Sequence, residues 1–255
     1  MYETVGLSFT DSKKPLMSSR LALRIQKLGL KDFSDYLALI SASDDGGEFQ
    51  VAVDLLTTNE TYFFREPQHY DFLESDLTDR TRTTLSVWSA ACSFGDEAYS
   101  IAMLLSDMQH DSRIGSDWTI LGTDISDRVL RSASQAIFPQ ERLRNVSENR
   151  LKRYCLRGEG EADGLAKIQP QLRERVRFGW LNLCRPIEPL GPFDVIFLRN
   201  VLIYFDAPTK SAVVDCVLEE LKVGGLFFIG TAEGRVTCRT SLKTLIPGVF
   251  RKLSV

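Results

Sequence analysis

The run Trp88–Met103, WSAACSFGDEAYSIAM, carries residue types suited to holding another molecule. A β-like apolar stretch from Leu85 leads into Ala90, Ala91, Cys92 and Ser93, whose small side chains let a ligand approach the backbone. Gly95 supplies a turn, a helix is expected from about Asp96, and Ser93-x-x-Asp96 reads as a capping box. A helix that starts beyond a strand end presents free N–H groups to a ligand at the carboxyl edge of an α/β sheet. The full G-x-G-x-x-G fingerprint is absent. Asp124 closes the next strand-like run, WTILGTDI, where an acid suits the two ribose hydroxyls of an adenosine group. Its alternative duty is an N-cap for the following helix, which Ser126 or Asp127 serves equally well. Arg65, in TTNETYFFRE, is a fixed charge between apolar neighbours, and spacing alone favours an ion pair with Glu66 or a nearby carboxylate.

Elements of two kinds must position these residues. Helices are expected at 15–28, with Leu21, Ile25 and Leu28 inward, at about 32–41, and around Phe49, Val53 and Leu56. Gly29 stops the first, and Asp44 to Gly47 form a loop. Residues 1–56 thus read as a small helical domain and 57–70 as a linker. Arg20, Arg24 and Lys27, with Lys13 a heptad earlier, form a basic stripe on the first helix, either a solvated face or a dock for an acidic helix. From residue 71 strands and helices alternate. Strands are expected at 85–90, 118–125, 178–183, 193–198 and 224–230, helices at 97–108, 127–136 and 208–221, and a last edge strand at 249–253. Residues 140–178 interrupt this order. A helix at 147–154 leads to RGEGEADGL, punctuated by Gly158, Gly160 and Gly164, and the runs 165–168 and 176–178 suggest an inserted antiparallel hairpin sheet at about 155–178. The fold class is α/β: a Rossmann-like sheet with an antiparallel C-terminal edge, a helical N-terminal domain and a β-subdomain insertion.

Composition narrows the function classes. A net charge of −3 gives no global attraction to nucleic acid or anionic membrane. No apolar run reaches membrane-spanning length, and the N-terminus is not a signal peptide. Five scattered cysteines without C-x-x-C, and two histidines, speak against a structural metal site and for a reducing, cytoplasmic setting.

Five runs, TTNETYFFRE, VWSAACSFGDEAYSIAM, GTDIS, FDVIFLRNVLIYF and GGLFFIGTAEG, occur in an order and spacing that resemble the chemotaxis receptor glutamate methyltransferases, the CheR family. The resemblance spans nearly the whole chain and implies S-adenosylmethionine as cofactor and S-adenosylhomocysteine as product. It implies cofactor contacts at Asn59, Thr61, Arg65, Glu97, Asp124, Asn182, Leu183, Arg199 and Asn200. It also implies that Arg65 and Tyr204 hold the acceptor carboxylate near the methyl group. The chain departs from the family's S-T-G-E-E-P-Y-S at Phe94, Asp96 and Ala98, and Thr231-Ala232-Glu233 replaces a frequent His-Ser-Glu. It begins late relative to the pattern, which implies a short or absent first helix. The three-glycine loop matches, at equal length, the β-subdomain loop of members that bind a receptor's C-terminal pentapeptide.

A carboxylate acceptor is already ionised at pH 7, so methyl transfer to it needs no general base, in keeping with a chain that offers no persuasive His or Cys dyad. The resemblance makes an acidic receptor helix the expected partner of Arg20, Arg24 and Lys27. Two other classes stay open: a nucleic-acid or amine methyltransferase, which the turn Arg199-Asn200-Val201-Leu202 and the net charge disfavour, and a cofactor-bound adaptor without activity.

Overall fold

The computed structural model describes residues 5–6, 14–42, 47–57, 59–78, 84–234 and 236–254. The expectations for Lys13 and for Asp44, Asp45 and Gly46 lie outside them. The helical domain contains α1 (Lys14–Lys27), α2 (Phe33–Ala42) and α3 (Gly47–Leu56). Leu21 and Ile25 of α1 meet Tyr36, Ala52 and Leu56 in a small core of their own. Gly29, in the left-handed region at φ 69°, ends α1. A helix that the sequence reading did not anticipate, α4 (Pro67–Thr78), takes up the last four residues expected in the linker, and its Tyr70, Leu73 and Leu77 are buried in a sequence otherwise rich in polar residues.

The main sheet is seven-stranded, in the order β6-β2-β1-β7-β8-β10-β9, from β1 (Thr84–Ser89), β2 (Asp117–Asp124), β6 (Val176–Trp180), β7 (Phe193–Leu198), β8 (Leu221–Ile229), β9 (Ser241–Ile246) and β10 (Val249–Ser254). β1, β2, β6, β7 and β8 run parallel, and β10 and β9 complete an antiparallel edge. Alternation sorts the strands' side chains onto two faces. Val87, Val195, Phe197, Leu226 and Phe228 pack with Tyr70 and Leu73 of α4 and with Ile101 and Met103 of α5 (Asp96–His110). Trp88, Ile196, Leu198, Phe227 and Ile229 pack with Val213, Val214 and Val217 of another helix, Ala207–Glu219. Each face is covered, so every residue of β7 is buried.

The small sheet has the order β3-β5-β4, from β3 (Ile137–Pro139), β4 (Cys155–Arg157) and β5 (Leu165–Ile168), all antiparallel. Two expectations need correction here. Val176–Phe178 is not in this sheet; it belongs to β6, which pairs parallel with β2 from Ile120 to Asp124. The third small strand is Ile137–Pro139 instead, reached directly from the helix Asp127–Gln135 through a left-handed Ala136 at φ 57°. At the other end of the chain, Val249–Ser254 is an inner strand, and Ser241–Ile246 forms the edge.

Candidate cofactor and methyl-transfer site

The strand order reverses between β1 and β7, and a cleft opens beyond their carboxyl ends. Ala90 to Ser93 after β1, Asp124 after β2, Leu181 to Cys184 after β6 and Arg199 to Val201 after β7 line it. The linker supplies Thr57, Asn59, Thr61 and Arg65, and the helical domain adds Val53. Asn59, Thr61, Arg65, Glu97, Asp124, Asn182, Leu183, Arg199, Asn200 and Tyr204, scattered over the sequence, therefore share one wall system.

The turn after β1 is built differently from the capping box its sequence suggests. The N-cap of α5 is Gly95, at φ 91°, and no side chain caps the helix. Ser93 is itself left-handed, at φ 51°, and donates its N–H to Asp124 Oδ2 at 2.9 Å. Asp96 pairs with Arg142 instead. Asp124 also accepts the Ser126 N–H through Oδ1 at 3.0 Å, so its carboxylate is held in place with lone pairs left for a ligand. Burial pushes its carboxyl above the usual value, and the backbone N–H groups pull against that.

Beneath the other end of the cleft lies a buried charge network. Arg199 donates from Nη1 to Glu97 Oε2 at 3.0 Å, and its Nη2 reaches the Arg65 carbonyl and, at 3.3 Å, Glu66 Oε2. Glu97 accepts a second bond from Ser89 Oγ at 2.7 Å. Burial raises the Glu97 carboxyl while Arg199 and Ser89 lower it. Burial also opposes the charge on Glu66, but Arg199, the Thr231 N–H and His69 outweigh it and hold that carboxyl below its usual value. Glu66 thus pairs with Arg199, not with Arg65. Arg65 donates to the Glu60 carbonyl at 2.8 Å, and among the described residues no carboxylate reaches it.

Arginine stacking fixes the linker. The Arg144 guanidinium lies 4.2 Å over the Tyr62 ring, and Arg150 lies 4.6 Å over Phe64. Phe63 packs edge-on to Phe138 at 4.9 Å and donates its N–H to the Arg142 carbonyl. Phe64 and Glu66 take left-handed backbone, at φ 54° and 59°, and Asn200 does so across the cleft at φ 61°. Such strain persists where surrounding contacts over-determine the backbone. Glu233 holds the turn after β7: it accepts the Val201 N–H at 2.8 Å, the Leu202 N–H at 2.7 Å and the Gly230 N–H at 2.5 Å. That turn leads into the short 3-10 helix carrying Tyr204.

The remaining anticipated residues lie away from the cleft. On α1, Arg24 makes a two-point bond to Glu48, Arg20 donates from Nη1 to the carbonyls of Leu56 and Thr57, and Lys27 is exposed. Gly158, Gly160 and Gly164 sit in the loop between β4 and β5. Gly160 and Gly164 have φ of 60° and 81°, and a Cβ on Gly158 would stand 1.9 Å from the Ala162 carbonyl oxygen. Sequence reasoning gave Glu66 only as a partner for Arg65 and Val53 only as a helix core position, and assigned no role in the site to Glu233 or Tyr70. Glu66 and Glu233 stand inside the quoted runs, whereas nothing local marks Tyr70 or Val53.

The residues present fit S-adenosylmethionine. Three buried polar atoms without a protein partner belong to cleft-lining residues: Tyr70 Oη and Arg199 Nε on the side where Glu97 lies, and Ser93 Oγ beside Asp124. Asp124 stands at the other end in a setting suited to a ribose.

A doubly wound sheet binds its ligand in the crevice at the switch point, and the match of this sheet to a methyltransferase family model places the chain among the S-adenosylmethionine-dependent methyltransferases. Residues 59–245 match the family model described as "CheR methyltransferase, SAM binding domain", residues 1–57 match "CheR methyltransferase, all-alpha domain", and the chain belongs to this family. It is 39% identical over 234 residues to a "Chemotaxis protein methyltransferase" of Escherichia coli (strain K12), covering 91% of this chain and 81% of that one. It is 38% identical over 240 residues to "Chemotaxis protein methyltransferase 2" of Pseudomonas aeruginosa, covering 92% and 84%. A relative from Borreliella burgdorferi is 32% identical over 261 residues, covering 99% and 91%.

Proposed function

We propose that the chain transfers the methyl group of S-adenosylmethionine to glutamate side-chain carboxylates of chemoreceptors, forming glutamyl methyl esters. The observation that carries this reading is the convergence of Arg65, from the linker, and Tyr204, from the turn after β7, on the cleft that Glu97 and Asp124 also line. The cofactor supplies an electrophilic methyl on a sulfonium. A glutamate carboxylate, with a pKa of about 4.3, arrives ionised and needs no base. What remains is to align oxygen, methyl and sulfur and to strip water from the nucleophile. Arg65 steers the carboxylate, and the Tyr204 phenol donates to the oxygen that does not attack. Neither cleft thiol competes, because burial raises Cys184 to about 11 and Cys92 well above its usual value.

Receptor choice is assigned to two surfaces. The first is the basic side of α1, where Lys27 is exposed and Arg24 exchanges Glu48 for a receptor carboxylate. The second is the small sheet, where strand addition of a receptor's C-terminal pentapeptide along β4 supplies a tether. Its outer face shows one cross-strand row, Ile137–Lys167–Leu156, with Ile137 41% and Leu156 50% exposed, a setting for an aromatic side chain and a terminal carboxylate. No described helix is long and apolar enough to cross a membrane, and the substrate surface assigned here is the receptor's cytoplasmic part.

Incubation with labelled S-adenosylmethionine and receptor fragments tests the reading. Base-labile label on the receptor is the expected result. Label on nucleic acid would instead mean a base methyltransferase, and tight cofactor binding with no transfer would mean an adaptor. Calorimetry with a receptor C-terminal peptide ending in an aromatic residue tests the tether, and absence of binding would remove it.

A further inference from the structure

Tyr70 is the one cleft-lining residue of α4, and its side chain is 3% exposed. Its ring is fixed by Phe64 at 5.0 Å and by Phe197 at 6.1 Å. Its hydroxyl, in contrast, is fully buried and makes no hydrogen bond of ordinary geometry. Ser100 and Arg199 stand near enough to pull its pKa down against burial, though neither completes a well-formed hydrogen bond to it. Ser100 already donates to the Asp96 carbonyl at 2.6 Å and accepts the Phe64 N–H at 2.9 Å. Arg199 spends Nη1 on Glu97 and Nη2 on Arg65 and Glu66, and its Nε is equally unpartnered. Two donors, a phenol and a guanidinium N–H, are thus left over at the same end of one cleft. A buried polar group without a partner is rare and costly, so such a pair points to a ligand acceptor.

We infer that Tyr70 Oη and Arg199 Nε together bind the carboxylate of the cofactor's methionyl group, Tyr70 being a contact beyond those the family resemblance implies. The inference rests on S-adenosylmethionine occupying the cleft with its ribose at Asp124. That placement brings the amino-acid end toward Ala90, Ala91 and Glu97, on the stretch of wall to which Tyr70 and Arg199 belong. A carboxylate accepts from a phenol and a guanidinium at once. Burial keeps the phenol protonated far above its usual titration range, so it remains a donor throughout the working pH. Glu97, the nearby anion, turns its oxygens to Ser89 and Arg199.

The substitution that tests this is Tyr70→Phe, which deletes one oxygen and keeps the ring. Calorimetry on the full chain measures binding of S-adenosylmethionine, S-adenosylhomocysteine and 5′-methylthioadenosine, which lacks the amino-acid end. The expected result is a loss of about tenfold for the first two, the scale of a hydrogen bond to a charged group, and none for the third. Thermal unfolding of the cofactor-free protein separates this from a structural role. Removing an unpartnered buried hydroxyl leaves the melting temperature unchanged or raises it, whereas removing a structural hydrogen bond lowers it. Equal losses for all three ligands, no loss for any, or a lowered melting temperature in the free protein would each overturn the assignment. Failure of the unsubstituted chain to bind S-adenosylmethionine would instead refute occupancy of the cleft.

Discussion

Arg199 Nη1 and Glu97 Oε2 meet at 3.0 Å beneath the cleft, Arg199 sealed from water and Glu97 14% exposed, and the same guanidinium reaches the backbone of Arg65 and the carboxylate of Glu66. One side chain after β7 thereby ties the linker to the first turn of α5. Burial works against charge on both partners, and each keeps the other ionised. Removing one member of such a pair strands the other. Arg199→Met is expected to cost about 3–5 kcal/mol of stability, and combining it with Glu97→Gln should cost less than the sum. Urea unfolding of the two single variants and the double variant measures this.

In the proposed mechanism Tyr204→Phe removes one hydrogen bond to the acceptor carboxylate. The expected result is a fall in kcat of roughly a hundredfold, the scale of a lost transition-state donor. Cofactor affinity should stay within about twofold in the same protein, because ground-state cofactor contacts lie elsewhere in the cleft. Single-turnover assays beside calorimetry check the split; unchanged turnover would remove Tyr204 from methyl transfer.

Asp124 has both oxygens anchored by N–H groups, from Ser93 and Ser126. Asp124→Asn puts an amide donor where one of those acceptors stands and removes the charge. Cofactor binding should weaken by about tenfold to a hundredfold. A 2′-deoxy cofactor analogue should lose affinity against the original chain and much less against the variant.

His69 packs on Phe228 and lies 3.4 Å from Glu66. Burial first, and the Arg199 charge second, push its imidazole from 6.5 down to about 4. The folded-state value is depressed, so between those limits the unfolded chain binds a proton that the folded chain refuses. Stability from this group is complete above the upper limit and is lost as pH falls through the window. Chemical denaturation at about pH 7.5 and about pH 5 should show a smaller drop for His69→Leu than for the unsubstituted chain.

Gly158→Ala tests the tether loop without touching the cleft. The added methyl meets the Ala162 carbonyl oxygen, so the turn between β4 and β5 must open. Receptor-peptide binding should fall at least about tenfold, with cofactor affinity unchanged, as read by calorimetry with each ligand.

The parallel core was legible because β7 and its neighbours are sealed on both faces, which leaves the unbroken apolar run Phe193–Leu198. Partner choice was not. Val176–Trp180 alternates as well as any hairpin strand, and nothing within it says that Ile120–Asp124 lies alongside. Ile137–Pro139 ends in a proline and follows a helix without a gap, so its three residues carry no strand signature. α4 is largely polar, and its apolar side shows only against α5. The positions that line the cleft were reachable because five runs kept a family's order. Ser93 misled because its capping pattern is overridden by a bond from its N–H to Asp124, 31 residues onward. Tyr70 carries no local mark at all, since what defines it is a hydroxyl left over after distant segments pair.

Arg20, whose guanidinium grips the carbonyls of Leu56 and Thr57, bears on how such an enzyme diversifies. The face of α1 and the wall that Val53 and Thr57 give the cleft are otherwise separate modules. Under the docking proposed for α1, lineages can retune Lys27 and its exposed neighbours for new receptors while the chemistry stays fixed. Arg20 is where that freedom ends: a change selected there for a new receptor would be inherited by the cofactor pocket as well.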